Sequence, residues 1–435
     1  MGIILPMILE LFKTITKIPR CSNNHAPFIA FIQEYTNKYN FVCEVDKSKN
    51  ILCYKKDGKR KLSLQSHYDI VCLEEGKVPE IVENDGILKA KDSTLGADNG
   101  MGCAYMLALM AQDEDLEYLF TSDEEIGLIG ANDLQLSLQS QYMLNLDSEE
   151  ENEICIGCAG GIDFYIKSNK HEIIPNFGNK NLYEVTLDTK KGGHSGVDID
   201  KNIPNALKLI IQTIQESSAD LIDINGGERI NSIPRSVSAI IASHKEPKKS
   251  HPNMFIKKVQ DPSEHYKKLD TNILKALYCF ANGIRDYNTP LDVVQTSINL
   301  ATIKTNLHDV EITLSGRSMV NDDLEKLKKE TCSYFEEFGF EVSTNGKYPA
   351  WKPETNDFTT IVNKVYEQYS DCVKVYAIHA GLECAIFKEK FPNMKIVSVG
   401  PTIKYPHSIH EECEIGSANR VFEVVKEIVN KINNN

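Results

Sequence analysis

The sequence predicts an α/β protein: a main domain with a mostly parallel sheet flanked by helices, interrupted by an inserted α+β domain. Three observations carry this reading. Helix-like and strand-like segments alternate over residues 1–184, longer paired strands replace them over 185–345, and the alternation returns over 346–435. At 435 residues the chain is also long for a single core and fits two domains of ordinary size.

The elements follow in order. "MGIILPMILELFKTITKIPR" reads as an amphipathic helix, not a signal peptide, because no basic region precedes its apolar run. "PFIAFIQEYTNKY" is helical, "NILCYK" and "KLSLQSHYDIV" are strands, and "GMGCAYMLALMA" is a helix. "LEYLFTS" and "YMLNLDS" are strands again, an order expected of a parallel sheet. In the middle, "LYEVTLDT" and "RSVSAIIASH" are strands around the helix "IPNALKLIIQTIQESS", which sets Leu207, Ile210, Ile211 and Ile214 on one face. A helix near "TNILKALYCFANGI" precedes a hairpin of "PLDVVQTSINLATIKT" with "HDVEITLSGRSM"; the helix "DDLEKLKKETCSYFEEF" and the strand "FEVST" complete the insertion. The last part carries "DFTTIVNKVYEQY", "VKVYAIHAG", "MKIVSVGPT" and a C-terminal helix "SANRVFEVVKEIVNKI".

Composition narrows the function. Hydrophobic content of 41% and charged content of 25% are those of a soluble globular protein. A net charge of −14 argues against nucleic acid as a partner, since phosphate binding needs a basic surface. The lysine-rich "HKEPKKSHPNMFIKKVQ" is mixed with acids and reads as a solvated loop. No uninterrupted apolar run of about 18 residues exists, so no membrane span is expected. The twelve cysteines show no framework; most lie in apolar runs, as Cys103 and Cys279 do, and read as reduced core residues of an intracellular, cytoplasmic protein. The one CxxC, Cys155 and Cys158, lacks a second pair and lies in a strand-like run ending at Gly160 and Gly161.

The chemistry gathers around acids and histidines. "FTSDEEIGLIGA" sets Asp123, Glu124 and Glu125 in a row after a strand, where a solvated helix N-terminus would also tolerate them. Other segments place similar groups at strand ends: His67 and Asp69 at i and i+2 on one strand face, Asp98 in a glycine-flanked turn before a helix, Asp147 in "MLNLDSEE", and His407 in "GPTIKYPHSIHEE". Two histidines and three carboxylates suit two zinc-like ions, with Asp98 in its constrained loop as the bridging acid. Adjacent Glu124 and Glu125 leave the strand in different directions, so one can bind metal while the other stays free as a base. Asp69 is expected to hydrogen-bond His67 and fix its tautomer. Such a pair of ions suits amide hydrolysis.

Taken together, "SHYDIV", "LGADNGMG", "SDEEIGLIGA", "LDSEE", "KGGHSGVDI", "NSIPR", "IHAGLEC" and "GPTIKYPHS" resemble, in order, the di-zinc amidohydrolase superfamily, and within it the aminoacyl-histidine dipeptidases. The resemblance covers nearly the whole chain. It implies a zinc-peptidase-like catalytic domain with an inserted lid that mediates homodimerisation, and metal-dependent hydrolysis of dipeptides, Xaa-His or broad in specificity. His67, Asp98, Glu125, Asp147 and His407 would be the metal ligands, with a cis bond between Asp98 and Asn99, Glu124 the general base and Asp69 the orienting acid. His194 would support the oxyanion, and Asn231, Arg317 and Gly381 would hold substrate, Arg317 at its free carboxylate. The two divalent ions would be zinc, with manganese or cobalt as alternatives. The sequence departs from the family where His410 stands in place of a common acid, as an alternative ligand, and where Ala385 replaces a usual glycine. His244, His251, His265 and His308 match nothing in the family and read as solvated surface. Two other readings stay open: an N-acyl-amino-acid amidohydrolase on the same scaffold, and an inactive metal-binding interaction dimer.

Overall fold

The computed structural model describes residues 4–74, 76–168, 171–172, 177, 179–260, 268–306 and 308–434. The chain forms two compact units: Met1–Cys158, Trp351–Ala377 and Leu382–Asn435 make the first, and Ala159–Ala350 with Ile378–Gly381 make the second.

The first unit is built on an eight-stranded sheet in the order Val42–Val45, Ile51–Tyr54, Glu117–Thr121, Leu62–His67, Tyr142–Asn145, Lys395–Ser398, Glu153–Cys158, Lys374–Ile378. Its central four strands, from Glu117–Thr121 to Lys395–Ser398, run parallel. The flanking ladders are antiparallel, so the sheet is mixed at its margins. Strands Leu62–His67 and Glu117–Thr121 are buried at every position, as expected where helices cover both faces. The core joins apolar residues of the helices Ile4–Thr16, Ala26–Lys38, Ala97–Ala111, Asp357–Tyr366 and Ile415–Asn434 to the sheet. Phe28 stacks on Tyr68 at 4.6 Å between ring centroids.

The second unit carries a separate antiparallel sheet and its own core. It contains the hairpin expected from sequence, Val293–Thr305 against Val310–Ser318. Helices Ala206–Glu216, Thr271–Cys279 and Asn321–Glu337 supply buried faces, with Leu207, Ile210, Ile211 and Ile214 all in the core.

Three readings need correction. The insertion starts at Ala159 and not at 185, because "ICIGCAGG" is not one strand: Glu153–Cys158 ends before the glycines, and Gly160–Ser168 pairs with Val310–Ser318 and Glu341–Tyr348 in the second sheet. Its other end lies at Ala350, five residues past 345, because Glu341–Tyr348 continues that sheet. The cysteines are not all reduced core residues. Cys21 and Cys72 form a disulfide; both stand in connecting segments between the helices and strands. Cys279 is exposed at the last residue of its helix, whereas Cys103, Cys155 and Cys158 are buried.

Asn205 shows how local chemistry fixes the second unit. Its side-chain oxygen accepts the Lys208 amide at 3.1 Å, capping the helix Ala206–Glu216, while its Nδ2 donates to the Leu300 carbonyl at 2.8 Å. Replacing Asn205 with Ala removes the cap and leaves a buried carbonyl short of a donor, an expected loss of about 1–3 kcal/mol by chemical denaturation. An unchanged denaturation midpoint would refute the cap.

Candidate metal centre

Each of the four parallel strands delivers a group from its carboxyl end. His67 is the last residue of Leu62–His67, paired with Thr121; Glu124 and Glu125 follow Glu117–Thr121; Asp147 follows Tyr142–Asn145; and His407 lies on the segment after Lys395–Ser398. This is where open α/β sheets collect ligands, since strand ends leave side chains and helix starts pointing into one crevice. Asp98 comes from the start of the helix Ala97–Ala111, after Gly96 at φ +70°, and the Asp98–Asn99 peptide is cis. A side chain at Gly96 would be strained by that backbone and would press on the Arg20 guanidinium and Ile70.

The Asp98 carboxylate lies between the two imidazoles. Its Oδ1 is 3.0 Å from His67 Nε2 and its Oδ2 is 3.0 Å from His407 Nε2. His67 Nε2 is also 3.2 Å from Asp147 Oδ1, and His407 Nε2 is 2.9 Å from Glu125 Oε2. Among the described residues, His67, Asp98 and Asp147 form one metal-competent group and Asp98, Glu125 and His407 another; His67 with Glu124 and Glu125 is a third. Within each group the offered atoms lie within 4.8 Å of one another. His410 is exposed and belongs to none of them, so the alternative ligand of the sequence reading is not brought to the centre. His244 and His308 are exposed, His251 is partly buried, and His265 lies outside the described residues.

The charges do not balance by themselves. Burial pushes the Glu125 carboxyl up to about 7 and that of Glu149 up to about 8, with Asp98 adding to both. Glu124 is held well above its ordinary value, by burial first and by Glu125 and Asp147 next, against the pull of His67. Burial opposes a charge on His407, yet Asp98 and Glu125 prevail and push it up to about 11. Among the described residues, Glu125 Oε1 is buried with no hydrogen-bond partner, an expensive state for a carboxylate unless a cation takes the lone pair. A mixed set of imidazole nitrogens and carboxylate oxygens, three groups to a site with one shared, fits two divalent cations.

Supporting contacts depart from the sequence reading in two ways. His67 Nδ1 is 3.0 Å from the backbone oxygen of Asp69, the partner that sets its tautomer, while the Asp69 carboxylate stands 3.6 Å away. That carboxylate instead accepts the amides of Glu124 at 3.1 Å and Glu125 at 3.3 Å. The acids at 123–125 do not open a helix either: they form a buried turn, and the next helix, Ile129–Asn132, is one turn long. Glu411 was missed. Its buried carboxylate accepts the amides of Leu95, Gly96, Ala97 and Asp98 at 2.8 to 3.4 Å. Glu383 is fully buried, accepts from Gln65 and Thr121, and is pushed up to about 8 by burial. Ala385 is fully buried within the helix Glu383–Lys390.

In the second unit, His194, Arg317 and Gly381 converge. His194 Nδ1 accepts the amides of Gly196 and Val197 at 3.2 and 3.3 Å, which leaves the proton on Nε2. Burial, and then Arg317, lower the His194 imidazole to about 4, so it is neutral. Its Nε2 is 3.5 Å from Arg317 Nη2, two donors facing one space. Arg317 Nη1 donates to the Tyr348 hydroxyl at 2.8 Å, and a side chain at Gly381 would press into the Tyr348 ring. The backbone oxygen of Asn231 accepts the Ser195 amide at 2.8 Å, placing Asn231 beside His194. His379 and Ser297, not singled out in the sequence, join here at 2.8 Å through Nε2 and Oγ. Among the described residues, buried Arg317 Nε and Ser195 Oγ have no hydrogen-bond partner, which suits an anionic ligand.

Comparison with known proteins identifies the family. The family profile of peptidase family M20/M25/M40 matches residues 63–431. The cytosol non-specific dipeptidase of Escherichia coli (strain K12) is 32% identical over 97% of both chains. Among solved structures, the aminoacylhistidine dipeptidase from Vibrio alginolyticus matches with a TM-score of 0.83 at 28% identity, covering 98% of this chain and 96% of that one. The aminopeptidase PepT from Bacillus cereus shares the fold, with a TM-score of 0.61 at 15% identity over 99% of each chain. The chain belongs to peptidase family M20/M25/M40.

Proposed function

We propose that the protein is a metal-dependent dipeptidase, with Xaa-His or broad specificity, that holds two divalent ions on His67, Asp98, Glu125, Asp147 and His407. The observation that carries this reading is the Asp98 carboxylate shared between two ligand groups, with Glu124 beside them and outside the pair that shares Asp98. Zinc fits the mixed nitrogen and oxygen donors, and manganese or cobalt would also be accepted. When bound, such ions acidify water and polarise a carbonyl.

The residues supply the rest. Glu124, whose carboxyl is held well above its ordinary value, takes the proton from the attacking water at its carboxylate and returns it to the leaving amine. His194, neutral with its proton on Nε2, donates to the oxyanion that develops on the scissile carbonyl. Arg317 pairs with the free carboxylate of the dipeptide, supported by its unpartnered Nε, and Asn231 and Gly381 line the same space. The K12 relative is a cytosol dipeptidase, which supports a dipeptide substrate in a cytoplasmic setting. The exposed edge strand Met254–Lys258, with Phe255 67% exposed, supports homodimer formation through the inserted unit.

A matched panel tests the function: Xaa-His and other free dipeptides, and the same dipeptides N-acetylated, with and without chelator. Chelator-sensitive cleavage of the free set is expected. Cleavage of only the acetylated set would move the protein to N-acyl-amino-acid hydrolysis, and no cleavage after metal reloading would leave a binding protein.

Glu124→Gln keeps the shape of the side chain and removes its basicity. It is expected to lower kcat by about 10³-fold or more while metal content per chain is retained. Near-normal turnover in that variant would overturn the base assignment.

A further inference from the structure

The segment at residues 20–25, "RCSNNH", lies before the stretch matched by the family profile, and nothing in the sequence marked it as functional. In the structure it straps three of the loops that carry the metal centre. Arg20, fully buried, donates from Nη1 to the Tyr68 carbonyl at 2.9 Å and from Nη2 to the Gly96 carbonyl at 2.7 Å, so it spans the His67 and Asp98 loops. The Ile70 amide returns a bond to the Arg20 carbonyl at 3.1 Å, and Cys21 is joined to Cys72.

The other end of the strap reaches the turn at 123–125 by two routes. Ser22 Oγ donates at 2.8 Å to Asp69 Oδ2, and the Asp69 carboxylate in turn accepts the amides of Glu124 and Glu125. The Asn23 amide donates at 2.7 Å to Asp123 Oδ1, and His25 Nε2 lies 3.1 Å from Asp123 Oδ2. The Tyr68 hydroxyl is 2.9 Å from His25 Nδ1 and donates to the Lys49 carbonyl at 3.2 Å, so the His25 ring is held at both nitrogens. Asp123 adopts φ +50°, a conformation uncommon for a residue with a side chain, and both its carboxylate oxygens are held by the strap. Glu124 is the next residue.

We propose that residues 20–25 are a positioning element for Glu124, with Ser22 and His25 as its two positioning residues, acting through Asp69 and Asp123. The strap makes no contribution to the chemistry itself. It fixes the direction in which the Glu124 carboxylate leaves the turn, and small errors in that direction are costly for proton transfer. The role in turnover rests on the dipeptidase reading; the restraint on the turn does not.

The test compares His25→Ala with His25→Gln, whose amide nitrogen can reach Asp123 as Nε2 does. In His25→Ala, kcat is expected to fall about 10- to 100-fold with KM and metal per chain unchanged, and His25→Gln should restore most of it. An unchanged kcat, a fall that matches lost metal, or no rescue by Gln would overturn the proposal. A second readout needs no substrate: hydrogen exchange of the Glu124 and Glu125 amides should quicken in His25→Ala and in Ser22→Ala, while exchange in the rest of the sheet stays as in the wild type. Unchanged exchange at those amides would overturn the strap even if the wild type cleaved no dipeptide. Faster exchange with a silent wild type would support it and fail the dipeptidase reading alone.

Discussion

The Asp98 carboxylate between the imidazoles of His67 and His407 is the contact around which the first unit is arranged. Asp147, Glu125, Glu124 and Glu149 crowd the same space and burial raises each of them; burial opposes the charge on Asp98 as well, but His407 and His67 hold its carboxyl below the ordinary value. The surrounding structure holds it nonetheless. Glu411 accepts the amides of the loop from one direction, while Arg20 takes the Gly96 carbonyl. Acceptor and donor chemistry are matched to the backbone groups that each finds.

The parallel strands explain why so many acids can be assembled at all. The central strands are buried along nearly all of their length and end at the same edge, so four separate segments reach one crevice without any of them crossing the core. The antiparallel second unit has its own core and carries a different chemistry, a neutral imidazole and a guanidinium with unpartnered donors. Cation-seeking groups and anion-seeking groups are thereby built on different sheets.

Much of this was legible because the informative groups sit at strand ends, where a run of apolar residues gives way to His, Asp or Glu. His67, Asp147 and the pair Glu124 and Glu125 were readable in that way, Asp98 from its glycine-flanked turn before a helix and His407 from the segment after a strand, and the structure gathers all of them. What escaped was carried by the backbone. The His67 tautomer is set by the Asp69 carbonyl and not its carboxylate, and no side-chain pattern announces a carbonyl. Glu411 acts through four amides, and Ser22 and His25 act through other acids, so their partners are distant in sequence and leave no local periodicity. The start of the inserted unit was misplaced for a related reason: two strands separated by one residue, Glu153–Cys158 and Gly160–Ser168, read as one apolar run although they belong to different sheets.

The shared carboxylate is most directly tested by anomalous diffraction from crystals of the metal-loaded protein. Two peaks about 3.5–4 Å apart, one beside each oxygen of Asp98, are expected, with His67 and Asp147 at one and Glu125 and His407 at the other. A single peak, or two peaks that do not share Asp98, would contradict the arrangement on which the proposed chemistry depends.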